Sequence, residues 1–256
     1  MSAPSVAAAR SGSPARRLPV LVAYVPRACL PPRRLAVLAL PCLTILAAGL
    51  LAHTIDEPVN EAFADVALLA VFGLAMPLGT LVIGDAVLGA EVRSGTLPFT
   101  WLTPTRFWEL AVARWFGGWL VALATLVPCA AAAAAIAGAG ELAAPIALGA
   151  ATGAAAHVAL FVLIGCITRR AAVWSLAVVF LVERLLGAVL SGIAQLSPAW
   201  LGRQVFVGLG DVPDDLSRSG VPEGWDAVIR LGLITAVCVG LATVGLRRLQ
   251  LTGVRD

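Results

Sequence analysis

The chain contains no lysine: all 18 of its basic residues are arginine. A glycine-rich phosphate loop needs a lysine to reach the β- and γ-phosphates of a nucleotide. That loop is therefore excluded, and any ATP that powers this protein binds another chain. Charge of either sign is scarce. Charged residues fill 13% of the 256 positions, about half the soluble average of roughly 25%, so a polar shell for a soluble domain of this length is lacking. Histidine occurs only at His53 and His157, too far apart in sequence for zinc-ligand spacing. The five cysteines form no C-x-x-C pair and four lie inside apolar runs. They read as small buried side chains, not as a disulfide framework. H-E-x-x-H and G-x-S-x-G are absent, which argues against an intramembrane enzyme.

What is present is apolar length. Apolar residues make up 60% of the chain, and the mean hydropathy is +0.94. The class is an all-α integral membrane protein. Runs long enough to span a bilayer, about 20 residues, recur near Leu35–Ala52, Val66–Gly84, Ala111–Ala137, Pro145–Ile167, Ala171–Leu190 and Ala227–Leu246. The first 34 residues hold six arginines and no acid, whereas His53–Asp65 holds four acids and no arginine. Arg93, Arg106 and Arg114 follow the second run, Glu141 follows the third, Arg169 and Arg170 follow the fourth, and an acid-rich segment follows the fifth. Because arginine-rich loops stay cytoplasmic, this alternation puts both termini inside. The expected organisation is an Arg-rich cytoplasmic tail (1–34), one six-helix membrane domain (35–246) and a short cytoplasmic tail (247–256). The first tail reads as an unstructured arm held at the anionic inner leaflet, and the first run as an uncleaved span.

Two connections are long, Asp85–Leu110 inside and Ser191–Asp226 outside, and long loops in compact domains are commonly functional. Three spans on each side, with loop lengths reversed, give a faint inverted repeat. The inner stretch, Gly84–Trp115, reads as structure. Asp85 is placed to cap a short helix and Gly95 to end it. Thr103-Pro104 suits a cap followed by proline at the first helical position, with one helix running on into the third span. Trp108, Trp115 and Trp119 fall at i, i+7 and i+11 on one face, where tryptophan favours the membrane interface. The expectation is a short amphipathic helix, a bend and an interfacial helix entering the bilayer.

Within this stretch stand Glu91, then Gly95-Thr96-Leu97, then Leu102-Thr103-Pro104, then Thr105-Arg106, and Ala113-Arg114 at the head of the third span. The order and spacing resemble the hallmark segment of the type-2 permease family of ATP-binding-cassette transporters. The last basic position, commonly lysine in that family, is Arg114 here, and Pro98 interrupts the Gly-Thr-Leu turn. The resemblance covers about thirty residues; six spans, internal termini and a long outer segment between spans five and six extend it. It implies a coupling helix between spans two and three that docks on a cytoplasmic P-loop ATPase subunit. Glu91, Arg93, Gly95, Thr96, Pro104 and Arg106 would be the partner-binding positions. It also implies a second permease copy, ATP and magnesium held only by the partner, no nucleic acid, and export across a bacterial plasma membrane of a hydrophobic or amphipathic substrate.

Inside the spans, Glu183 and Arg184 lie near the middle of the fifth run, where a charge costs about 2.5–3.5 kcal/mol. Successive residues point about 100° apart on a helix, so the two do not face each other. They are expected to face protein or water, as a buried polar patch or the lining of a translocation path. His157 belongs with them as a helix–helix hydrogen-bonding residue. Gly149/Gly153 and Gly187/Ser191 are small pairs suited to close helix packing, and Pro41, Pro77 and Pro128 sit within spans. The inverted loop pattern and Glu183 also fit an ion-gradient-driven secondary transporter, the alternative reading.

Overall fold

The computed structural model describes residues 14–29, 31–89, 91, 106–168 and 170–252. These residues are 88% helical and include no strand. In chain order the helices are α1 (Pro14–Cys29), α2 (Pro32–His53), α3 (Val59–Gly89), α4 (Phe107–Ala137), α5 (Ala143–Ile167), α6 (Ala171–Val189), the short α7 (Ser191–Ala194), α8 (Pro198–Leu209) and α9 (Gly224–Thr252). Six of them, α2 to α6 and α9, are long and apolar enough to cross a membrane. The chain thus has the architecture of a multi-pass membrane protein.

The six expected spans are all present, but several ends move. α3 begins at Val59, not near Val66, and continues past Gly84 to Gly89. Pro58 precedes it in extended backbone, and Glu61 lies in its first turn, where a carboxylate is favoured by the helix dipole. Charged helix ends look like loop to a hydropathy window, yet the backbone continues through them. Asp85 is a correction: its φ of −64° and ψ of −38° are helical, so it extends α3 instead of capping a new helix. A second correction concerns α4. It starts at Phe107, and Arg106 is extended, with φ −82° and ψ 145°. A helix from Thr103-Pro104 therefore does not run unbroken into the third span.

The first tail is a third correction. Residues 14–29 form α1 rather than an unstructured arm. Val25 is fully buried and packs where Gly117 of α4 leaves no room for a Cβ, which would lie 2.6 Å from the valine. Val25 and Cys29, one turn apart, are both buried while Val20 and Tyr24 are exposed, the one-sided pattern of a surface helix.

Small residues set the interhelical distances. Gly49 of α2 lies against the backbone of Ala133 in α4, whose oxygen would be 2.4 Å from an added Cβ. Such contacts let helices approach closely where no hydrophobic force separates protein from lipid. Gly149 and Gly153 do pack closely, but against α8: Gly202 O would lie 2.6 Å from a Cβ at Gly149. The segment after α6 thus folds back into the bundle. Phe206 of α8 is fully buried, stacked on Phe72 (5.9 Å between centroids) and edge-on to Phe63 (6.4 Å).

Two spans contain π-helical turns. In α3 the turn at Val71–Ala75 ends two residues before Pro77. Proline lacks the N–H that would close the bond to Gly73, and a widened turn absorbs the mismatch. In α6 the π segment Val178–Leu186 carries Glu183 and Arg184.

Candidate functional site

The loop between α3 and α4 is tied at its base. Arg114, in the third turn of α4, is 4% exposed. Its Nη2 donates to Glu91 Oε2 at 2.7 Å, and its Nη1 donates to the Val87 carbonyl at 2.8 Å. The guanidinium also lies 5.5 Å from the ring centroid of Tyr24 in α1. One cation thereby joins the end of α3, the start of α4 and α1. Charge-assisted bonds of this length are among the stronger ones. Removing one partner of such a buried pair costs about 3–5 kcal/mol. Beside it, the backbone N–H of Arg106 donates to Glu109 Oε2 at 3.2 Å, half of the reciprocal arrangement that closes a helix start. Glu109 is 2% exposed while the Arg106 side chain points outward. Of the expected partner-binding residues, Glu91 forms this tie and Arg106 stands beside it; Arg93, Gly95, Thr96 and Pro104 lie outside the described residues.

Two of the three tryptophans on this face make contacts between helices. Trp115 and Trp119 stack on one another at 5.8 Å with planes 6° apart. Their indole N–H groups donate to Ala155 O and Ala151 O of α5, both at 2.9 Å. Carbonyls next to small alanines are open to such bonds, so these rings clamp α4 to α5; Trp108 remains partly exposed.

A second cluster lies between α5, α6 and α8. Glu183 is 2% exposed and His157 1%. His157 Nε2 is 3.2 Å from Glu183 Oε2, and its Nδ1 is 3.1 Å from Gly153 O. Which ring nitrogen carries the hydrogen depends on the tautomer; either way the imidazole sits between the Glu183 carboxyl and a helix carbonyl. Glu183 Oε1 accepts from Ser197 Oγ at 3.0 Å and the Ala199 N–H at 3.5 Å. Ser197 in turn caps α8, accepting from Trp200 N. The order Ser–Glu–His, with no bond from serine to histidine, is wrong for activating a serine nucleophile. Arg184 turns away from Glu183, as the helical spacing requires, and reaches α3 with Nη2 3.5 Å from Leu69 O. His157 and Glu183 face protein, whereas Arg184 is half-buried against α3.

Sequence reasoning did not foresee the proximity of Arg203 and Arg218 to this region or the burial of Gln204. Gln204 is fully buried and its amide oxygen and nitrogen have no protein partner. Among the described residues, no three His, Cys, Asp or Glu side chains are grouped to hold a metal. No family model matches the chain, and no curated protein matches it.

Proposed function

We propose that the chain is the membrane-spanning subunit of an ATP-binding-cassette transporter of the type-2 permease kind. The observation that supports this reading best is the Glu91–Arg114 bridge. These residues hold the first acidic and last basic positions of the segment that resembles the family hallmark, and they close the base of the loop that would carry the coupling helix. A push on that loop acts on α3 and α4 together, because Arg114 bonds both the last turn of α3 and Glu91. Packed helices transmit such displacements as rigid bodies. With no lysine for a phosphate loop in this chain, the reading puts ATP and magnesium on a separate P-loop subunit. In this reading the α1 face is cytoplasmic, both termini are inside, and two permease copies pair with two ATPase subunits. Two apolar grooves along α9, of about 410 and 580 Å³, fall in the size range of small-molecule sites and suit a hydrophobic or amphipathic cargo. Co-purification from the native membrane tests the reading: a P-loop ATPase should follow the tagged chain. Transport by the chain alone, without nucleotide, contradicts it.

The buried contact between His157 and Glu183 favours a second reading, a transporter driven by a proton gradient. There, Glu183→Gln abolishes flux driven by a pH difference; unchanged flux removes this reading.

A further inference from the structure

Three guanidinium groups gather around Trp200 in the half of the bundle away from α1. Arg203 lies 5.0 Å and Arg218 4.3 Å from the indole ring centroid. Arg203 is near enough to both Arg184 and Arg218 for their charges to oppose its own. Like charges repel in a low-dielectric setting, so the grouping needs compensation. Glu183 is occupied by His157, Ser197 and the Ala199 amide. Asp65 offsets Arg203 only through its field. Among the described residues, none of the three guanidiniums has a carboxylate within ion-pairing distance. Backbone carbonyls take part of the donor capacity: Leu216 O from Arg203, and Gly187 O and Ala188 O from Arg218. Arg203 Nε is buried with no partner at all.

The fold makes room for this charge. Gly73, in the π turn before Pro77, lies under Arg184: a Cβ there would meet Nη2 at 1.7 Å. Arg184 thus bridges from α6 to α3 over a cleft lined also by Phe72, Trp200 and Arg203. The cleft measures about 20 Å³, room for one oxygen-sized group. Leucines that would face lipid stand beside it in the chain: Leu69 is 70%, Leu185 61% and Leu181 57% exposed.

We infer that Arg184, Arg203 and Arg218 form a binding site for a phosphoryl oxyanion, one oxygen of which enters the cleft beneath Arg184. Guanidinium groups match phosphate oxygens in geometry and charge. The flanking leucines suit acyl chains, so a lipid phosphate headgroup is the ligand; a free phosphate shares the chemistry. This inference does not rest on the transport reading.

The test is native mass spectrometry of the purified detergent-solubilised chain with phosphatidylglycerol, and with an uncharged diacylglycerol of the same chains. A parallel thermal-shift titration uses inorganic phosphate. Selective retention of phosphatidylglycerol, weakened about tenfold or more by Arg184→Gln with Arg203→Gln, supports a lipid source. Stabilisation by inorganic phosphate with the same arginine dependence supports the site with a soluble source. Equal retention of the two lipids by the unmodified chain, with no phosphate shift, overturns the proposal and needs no variant to fold. Selective retention that survives the paired substitution in a monodisperse protein overturns it as well.

Discussion

Glu91 and Arg114 are separated by 23 positions and meet at 2.7 Å, so an ion pair joins the two ends of the connection between α3 and α4. Its surroundings decide how strongly it acts. Arg114 is nearly inaccessible, bonded to Val87 O and set beside Tyr24, so water is a poor substitute for the carboxylate.

Reversing the pair distinguishes charge from mere size. Glu91→Gln should destabilise the chain by about 3–5 kcal/mol, because it leaves the buried Arg114 charge uncompensated, and Arg114→Gln by less, because Glu91 is only partly buried. The exchange Glu91→Arg with Arg114→Glu should recover only part of this, since a carboxylate at 114 cannot donate to Val87 O. Thermal unfolding in detergent measures the loss. Stability of all three variants equal to that of the unmodified chain would show the pair to be idle.

The His157–Glu183 pair makes a second prediction. Glu183→Ala removes the acceptor for His157, Ser197 and the Ala199 amide together and should cost about 3–5 kcal/mol. His157→Gln keeps a donor near the carboxyl and should cost less. A smaller loss for Glu183→Ala than for His157→Gln, read from the same unfolding curves, would contradict the shared role of the carboxylate.

Gln204 predicts a gain. Its amide is buried without partners, and an unsatisfied polar group costs about 1–3 kcal/mol. Gln204→Met, similar in length, should raise the unfolding temperature. A clear fall would mean that the amide has a partner in the working protein.

Cys29 predicts a pH response on the α1 face. Burial pushes its thiol up to about 11, against opposing fields from Arg34 and Arg114. Alkylation of the thiol in folded protein should therefore stay slow at neutral pH and accelerate toward pH 11. The stability linked to the raised value is fully present below pH 9 and is lost as the pH rises toward 11. Fast labelling of Cys29 at pH 7, measured by mass spectrometry, would contradict the packing of α1 on α4.

The spans were legible because apolar length needs no partner to be recognised. Their ends were not, because Glu61 and Glu109 suit helix starts yet look like loop. α1 was hidden by its arginines, although the i, i+4 pair Val25 and Cys29 marked a buried face. The periodic tryptophans were visible, but their direction depended on the carbonyls of α5. Glu91 and Arg114 were both visible as motif positions; that they touch depends on how α3 and α4 converge. His157 and Glu183 lie on different helices, and no spacing rule joins them. Arg203 and Gln204 lie in the segment 191–226, whose sequence did not reveal that it folds back into the bundle.

The most direct test of the transport reading is nucleotide-dependent transport by vesicles containing the tagged chain with whatever ATPase co-purifies with it. The account predicts that ATP drives flux and that Glu91→Gln with Arg114→Gln lowers flux while the ATPase still hydrolyses ATP. Flux of the same size without nucleotide and without a second protein would contradict it.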